Sequence, residues 1–171
     1  SVECVTFHGE HRFLAMTKKY TTGAPHFIET GHLEPAPVSS ELLERVKKVV
    51  FHALDSLCIT DSASHTELKI TDKGEIYLIE IGGRMGGDCI GSDLVQLSTG
   101  VDFVQAVIQI SLGERPDLNC NDKKRVAAIH YIFGGKDEGS QDLVQGITAA
   151  GAFFDEVALM PESFVNQATG R

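Results

Sequence analysis

The residues best suited to chemistry lie in a predicted β-hairpin over residues 64–82. Two alternating runs flank Asp72-Lys73-Gly74-Glu75, and a glycine at the second loop position suits a tight type I′ turn. With Lys73-Gly74 as a two-residue loop, Glu67 on the first strand faces Glu80 on the second. The predicted register therefore places two carboxylates side by side on one face of the hairpin.

The same register gives the hairpin one apolar face that a core can cover. The residues predicted on this core face are Leu68, Ile70, Tyr77, Ile79 and Ile81. The other face carries Glu67 and Glu80 together with His65, Lys69 and Leu78.

Two carboxylates directly opposite each other destabilise a sheet. At about 5 Å and an effective dielectric of about 20, their repulsion is on the order of 3 kcal/mol. Either a proton on one carboxyl group or a cation between the two would relieve it. Ligands that are all oxygen favour a hard cation such as Mg²⁺ or Mn²⁺. The alternative is a solvated sheet face, on which water and Lys69 screen the two charges.

A glycine-rich loop follows the second strand directly, with the sequence Gly82-Gly83-Arg84-Met85-Gly86-Gly87-Asp88. Glycines let the backbone approach a ligand closely, and Arg84 offers a fork of donors for a phosphate or a carboxylate. The carboxylate pair, the loop and the arginine together predict a site for a metal ion and a polyphosphate.

The composition limits the classes of partner. The 171 residues carry a formal net charge of −9, which argues against nucleic acid or an anionic membrane as the main partner. No apolar run approaches the ~20 residues of a membrane span. The four cysteines match no zinc-binding spacing, which predicts reduced thiols in a cytoplasmic protein, with a disulfide as the alternative.

The patterning along the chain predicts an α+β fold in which an antiparallel sheet packs against helices. Strands are expected over residues 2–8, 12–18, 26–33 and 125–133, and helices over residues 39–57, 90–97 and 102–112. A polar stretch with Pro116 suggests a boundary between one domain over residues 1–113 and an appended, mainly β segment over residues 114–171. Because residues 1–7 already have a strand pattern without an initiating methionine, we expect a piece of a longer protein that lacks turnover by itself.

The residues from 64 to 88, with the helices on either side, resemble the C-terminal subdomain of an ATP-grasp domain. In that family one strand carries a metal-binding glutamate and a second strand carries another in a Glu-x-Asn-x-Arg motif. Here Glu67 matches the first and Glu80 the second, and Arg84 stands at the motif's arginine. The resemblance implies ATP and Mg²⁺ (or Mn²⁺) as ligands of Glu67 and Glu80, and ligation of a carboxylate to an amine through an acyl phosphate. It also implies that the central and N-terminal ATP-binding regions lie outside this chain.

Gly82 stands where the motif usually has asparagine, so one metal ligand is missing. In this respect the sequence resembles the branch of L-amino acid ligases, where that asparagine is also absent. In that branch a Glu-x-x-His on a strand, the motif arginine and a following glycine line the amino-acid site, which here implies Glu29, His32, Arg84 and Gly87. Arg84 would also steady the transferred phosphoryl group, and Asp88 is expected to meet a substrate amine.

Several readings of the resemblance stay open. The enzyme could instead be similar to glycinamide-ribonucleotide synthetase, biotin carboxylase or carbamoyl-phosphate synthase. The chain could also be a binding module that keeps the ATP-grasp fold without catalysis. The implied partners are small-molecule carboxylates and amines, amino acids among them, with neither nucleic acid nor membrane, and a homodimer is one possible assembly.

Overall fold

Seven β-strands and three α-helices form the part of the chain that the structure, a computed structural model, describes: residues 1–119 and 125–131. The strands are β1 Val2–Phe7, β2 Glu10–Met16, β3 Lys18–Thr21, β4 Glu29–Glu34, β5 Ser62–Ile70, β6 Ile76–Gly82 and β7 Ala127–His130. The helices are α1 Ser40–Ser56, α2 Val95–Thr99 and α3 Phe103–Ser111, and a π-helical turn, Ile90–Leu94, leads into α2. The predicted α+β class, with antiparallel sheets packed against helices, is confirmed.

The strands form two antiparallel sheets. The larger has the order β2-β1-β5-β6, and the smaller has the order β3-β4-β7. Strand β1 lies inside the larger sheet, and all six of its residues are buried. The predicted first hairpin is confirmed, but its second strand ends at Met16, because the chain leaves the larger sheet after this residue and pairs β3 with β4 instead.

Helix α1 covers one face of the larger sheet. Its N-cap is Ser39, whose hydroxyl accepts a hydrogen bond from the amide of Leu42. The helix buries three residues at helical spacing against Val2 and Cys4 of β1: Val46, Val50 and Leu54. The predicted helix over residues 39–57 is therefore confirmed to within a residue at each end.

The opposite face of the larger sheet packs against α2 and α3. Val5 and Phe7 of β1 join Val95 of α2 and Phe103 and Ile110 of α3 in a second core cluster. Gly100 directly follows α2 and Gly113 lies two residues after α3, and both have a positive φ. The larger sheet is thus covered by helices on both faces, with alternate residues of β1 facing each core.

The central hairpin, β5 and β6, differs in two details from the predicted register. Its loop has three residues rather than two, because the amide of Gly74 donates to the carbonyl of Thr71 at 2.8 Å. A bulge then leaves Ile79 without a partner, so that Leu68 pairs with Leu78 while Glu67 still pairs with Glu80. The extra loop residue and the bulge offset each other, so the predicted pairing of Glu67 with Glu80 is kept.

The predicted core face is wrong at two of its five residues. Tyr77 and Ile79 are exposed, whereas Leu68, Ile70 and Ile81 pack against the α1 side as predicted. The physical reason is that β6 lies at the edge of the sheet and changes its alternation at the bulge.

Strand β7 belongs to the smaller sheet, where it pairs with β4, and it confirms part of the strand predicted over residues 125–133. The compact unit that contains it spans Ser1–Tyr131. The proposed domain ranges 1–113 and 114–171 stay a prediction, since most of the mainly β segment lies outside the described residues. Among the helices that the structure describes, none combines the length and the apolar character needed to cross a membrane.

Candidate active site

The carboxylate pair predicted from the hairpin forms in the structure. Glu67 of β5 and Glu80 of β6 are direct cross-strand partners, so their side chains leave the same face of the sheet. Glu80 is exposed, and the side chain of Glu67 is 38% exposed, so both carboxylates are open to a ligand from solvent.

Lys19 of β3 supplies a cation beside this pair. Its Nζ lies 2.6 Å from Oε1 of Glu67 and 3.0 Å from Oε1 of Glu29 on β4. The hydrogen bond from Lys19 is the main reason that the pKa of Glu67 lies below its ordinary value. Burial lowers the pKa of Lys19, but the hydrogen bonds to Glu67 and Glu29 outweigh burial and raise it overall. All three groups are therefore charged at neutral pH.

A second cluster, which we call the β4 cluster, brings together three of the predicted substrate-binding residues: Glu29, His32 and Asp88. One ligand atom from each lies within 4.8 Å of the other two. Nε2 of His32 is 3.4 Å from Oε2 of Glu29. The contact with His32, followed by that with Lys19, outweighs burial and lowers the pKa of Glu29 to about 2. The β4 cluster thus combines a carboxylate and an imidazole on β4, from Glu29 and His32, with the carboxylate of Asp88 in the glycine-rich loop.

Buried polar atoms without partners face this region. The side chain of His32 is fully buried; within the described residues its Nδ1 makes no hydrogen bond, and its Nε2 has the 3.4 Å contact with Glu29 but no shorter one. The hydroxyl of Tyr131 is likewise unpaired there, and its ring meets that of His32 edge-on at 5.5 Å between centroids. Burial, reinforced by the charges of Asp88 and Glu29, raises the pKa of Tyr131. Since unpaired buried polar groups are costly, these atoms suit a polar ligand.

The loop after β6 carries backbone strain beside the β4 cluster. Asp88 and Cys89 both have left-handed φ angles, 52° and 58°, which cost of order 1–3 kcal/mol each in non-glycine residues. The π-helical turn follows immediately, and such turns occur frequently at functional sites. Arg84 and Gly87 are exposed on the same loop, and Nη1 of Arg84 donates to the carbonyl of Met85 at 2.8 Å.

Four residues near the site were not predicted: Glu3, Lys19, His65 and Tyr131. The predicted register already placed His65 on the face of Glu67, two residues before it on the same strand, but gave it no role. Lys19 could not, because its role depends on a cross-strand pairing with His32 that the sequence pattern does not reveal.

The family model for the ATP-grasp domain matches residues 1–93, more than half of the chain. The chain belongs to the ATP-grasp family. This ATP-grasp chain is 30% identical to the uncharacterized protein y4rH of Sinorhizobium fredii over 128 residues, which make up 75% of the chain and 26% of the relative. It is 27% identical to the alanine–anticapsin ligase of Bacillus subtilis over 119 residues, 69% of the chain and 25% of that protein.

A solved structure supports the same assignment. The crystal structure of L-amino acid ligase from Bacillus licheniformis is similar with a TM-score of 0.69 and 28% sequence identity, covering 78% of this chain and 33% of the ligase. The ATP-grasp chain therefore spans about a quarter of the length of the curated relatives it matches. The resemblance inferred from Glu67, Glu80 and Arg84 is confirmed at the level of the family.

Proposed function

We propose that the whole protein is an ATP-dependent carboxylate–amine ligase that joins amino acids through an acyl phosphate. The observation that carries this proposal is the direct pairing of Glu67 with Glu80 on the strand that enters the arginine-bearing glycine loop. Support for amino acids comes from the names of two relatives, an alanine–anticapsin ligase and an L-amino acid ligase.

Glu67 and Glu80 are the proposed holders of Mg²⁺ or Mn²⁺. Their oxygen atoms suit a hard cation. Lys19 keeps Glu67 in the ionised form that is needed to bind a metal ion. Because Gly82 stands where the family has asparagine, the remaining coordination positions are left to phosphate oxygens and water. When bound, the ion would supply positive charge to neutralise the oxygens of the transferred phosphoryl group.

In the proposed reaction, a substrate carboxylate oxygen bonds to the γ-phosphorus of ATP as the bond to ADP breaks. The amine nitrogen then bonds to the acyl carbon as phosphate leaves, and the nitrogen releases a proton. Arg84 is exposed and can donate to the phosphoryl group or to the substrate carboxylate. Such a reaction depends mainly on positioning and charge neutralisation, which this loop can provide.

The β4 cluster is the proposed site for the amino-acid substrate, together with Arg84 and Gly87. Glu29 and Asp88 can attract an ammonium group, and Gly87 lies open on the loop, with no atom within 4 Å of the Cβ that another residue would add there. The same cluster offers proton acceptors for the attacking amine, which must be neutral to act as a nucleophile.

One observation favours a second candidate function. Gly82 removes a metal ligand that the family motif usually supplies, which suits an ATP-grasp module that binds without catalysis, although the same replacement also resembles the L-amino acid ligase branch. The other ATP-grasp ligases, of the glycinamide-ribonucleotide synthetase, biotin carboxylase and carbamoyl-phosphate synthase types, remain alternatives within the enzyme class.

Nucleotide binding by the whole protein tests the metal assignment. Glu80→Gln removes one of the two charges that would hold the ion, so we expect Mg²⁺-dependent ATP binding to be lost, as measured by isothermal titration calorimetry with and without Mg²⁺. Glu75→Gln is the matched control, because Glu75 is an exposed carboxylate at the other end of the same hairpin. Unchanged ATP affinity in Glu80→Gln would remove the basis of the assignment. Phosphate release with ATP, Mg²⁺ and pairs of amino acids then separates the ligase from the binding module.

A further inference from the structure

A buried carboxylate and a buried histidine connect the carboxylate pair to the glycine-rich loop. The side chain of Glu3 is fully buried and that of His65 is 5% exposed. One oxygen of Glu3 contacts Nδ1 of His65, and the other accepts a hydrogen bond of 2.9 Å from the amide of Gly86. Nε2 of His65 lies 3.4 Å from Oε1 of Glu67.

The strand register explains why these groups meet. Glu3 of β1 is the direct cross-strand partner of His65 on β5, and His65 is in turn the partner of Gly82 on β6. Glu67 lies two residues after His65, so both side chains leave the same face of the sheet. A line of polar groups therefore runs from β1 to the adjacent strand β5 and ends at Glu67, the proposed metal ligand.

The loop fits this buried pair closely. A Cβ atom added at Gly86 would lie 2.7 Å from Oε1 of Glu3 and 2.8 Å from Nδ1 of His65. Such distances are shorter than van der Waals contact, so any larger residue at this position would force the loop away from the pair. The loop that bears Arg84 is thus anchored to the same carboxylate that orients His65.

We infer that Glu3 and His65 are positioning residues, which hold Glu67 and the glycine-rich loop in one fixed arrangement. This inference rests on the proposed function, because it assigns the pair to the metal site of that reaction. A histidine held by a carboxylate and directed at a metal ligand is a common way to orient the ligand, and loss of such partners typically weakens metal affinity 10–100-fold.

The chemistry of Glu3 makes the inference specific. Its carboxylate accepts from two donors at once, the Nδ1–H group of His65 and the amide of Gly86. A glutamine has one acceptor oxygen, so in Glu3→Gln either one of the two donors loses its partner or His65 changes tautomer and accepts at Nδ1 from the glutamine amide; either change alters how His65 meets Glu67. A side chain that merely filled space would be replaced by glutamine at little cost, because the two side chains have nearly the same shape.

The test measures the Mg²⁺ concentration that half-activates phosphate release by the whole enzyme. We expect this activation constant to rise by about 10-fold or more in Glu3→Gln and in His65→Gln. Glu3→Asp keeps two acceptor oxygens and is expected to lie closer to the unsubstituted enzyme. Mn²⁺ binding, followed by electron paramagnetic resonance on the folded fraction, gives the same comparison without turnover.

Glu34→Gln is the matched control. Glu34 is also fully buried, but its carboxylate accepts from the hydroxyls of Thr17 and Ser98, each at 2.6 Å. Hydroxyl groups can turn to donate or accept, so a glutamine keeps both partners. We expect Glu34→Gln to leave the Mg²⁺ activation constant unchanged.

The outcomes separate this inference from the proposed function. If Glu67→Gln changes the Mg²⁺ response and Glu3→Gln and His65→Gln do not, the positioning role is wrong and the proposed function stands. If Glu67→Gln leaves the Mg²⁺ response unaltered, the metal assignment itself is wrong. Should Glu3→Gln fold poorly, Gly86→Ala perturbs the same anchor from the loop side, and an unaltered activation constant there contradicts the inference.

Discussion

At the scale of single residues, one lysine offsets part of the negative charge of the site. Glu67 and Glu80 face each other, and Glu29 lies on the neighbouring sheet, so three carboxylates compete for positive charge. Lys19 contacts two of them at hydrogen-bonding distance. The repulsion expected for the paired carboxylates is therefore reduced by a protein cation before any metal ion is considered.

Removal of this lysine should alter how stability depends on pH. A carboxyl group with a lowered folded-state pKa stabilises the fold above its unfolded pKa, and this stabilisation is lost as the pH falls through the folded pKa. For Glu29 that window runs from 4.5 down to about 2. We expect Lys19→Met to lose less free energy of unfolding across this window than the unsubstituted protein does, as measured by urea denaturation at each pH.

Lys18→Met is the control for this experiment, because Lys18 lies one residue away with its Nζ 5.8 Å from the centre of the Tyr20 ring. It should keep the pH dependence of the unsubstituted protein. A pH dependence in Lys19→Met that matches that of Lys18→Met would show that Lys19 does not set the pKa of Glu29.

Part of the site could be predicted at this scale. The predicted pairing of Glu67 with Glu80 is kept, although the loop is one residue longer than predicted, because the bulge at Ile79 offsets the extra loop residue. The contribution of Lys19 and Glu3 could not be predicted, since each reaches the site from another strand whose register depends on tertiary packing. The roles assigned to Arg84, Glu29, His32, Gly87 and Asp88 stay predictions, although the structure does bring three of them together in the β4 cluster.

At the scale of elements, the central hairpin is held to helix α1 at its turn. Gly74 adopts a φ of +74°, and its carbonyl accepts a hydrogen bond of 2.8 Å from Nη2 of Arg45. Arg45 is exposed on the surface of α1 and reaches the hairpin turn from there. The contact arises because the loop is one residue longer than predicted and reaches the helix surface.

Substitution of Gly74 tests the turn. Gly74→Ala forces a residue with a Cβ into the left-handed region, so we expect the free energy of unfolding to fall by about 1–2 kcal/mol. Crowding contributes little, because the new Cβ would meet only the flexible end of Arg45, at 3.4 Å. Gly74→Asn should cost less, because asparagine tolerates this conformation better. Equal losses for the two variants in chemical denaturation would argue against a conformational cause.

Most elements could be predicted from local patterns. Helices α1 and α3 have apolar residues at helical spacing and capping side chains at Ser39 and Asp102, and both formed where expected. Strand β3 was missed as a separate element, because nothing in residues 12–21 indicates that the chain changes sheets at Thr17. The bulge at Ile79 was also missed. A single extra residue does not visibly disturb the alternation of apolar and polar residues in the sequence.

At the scale of the whole molecule, the larger sheet is stabilised from both sides. One core cluster lies under α1 and the other under α2 and α3, and β1 contributes residues to both. The side chains of Glu3 and His65 lie on the same sheet face as those of Val5 and Ala63, which is the face that packs against α2 and α3. The stability of these two core clusters therefore limits how much backbone strain the loop after β6 can carry at Asp88 and Cys89.

Helix α1 offers a matched pair of substitutions for measuring this stability. Leu54 is fully buried, whereas Leu57, three residues later, is 57% exposed. We expect Leu54→Ala to lower the free energy of unfolding by about 2–5 kcal/mol, because it removes buried methyl groups and leaves a cavity. Leu57→Ala should change it by no more than about 0.5 kcal/mol. Similar losses for both, in urea denaturation, would contradict the position of α1 on the sheet.

The shared lysine has a consequence for communication across the molecule. Lys19 belongs to the smaller sheet and Glu67 to the larger one, so their ion pair links the two sheets. A divalent ion that occupied the Glu67 oxygen would compete with the ammonium group for the same atom. The displaced lysine would then be left to Glu29 or to an anionic group on an incoming molecule. Binding of the ion would in this way change the charge that the next ligand meets.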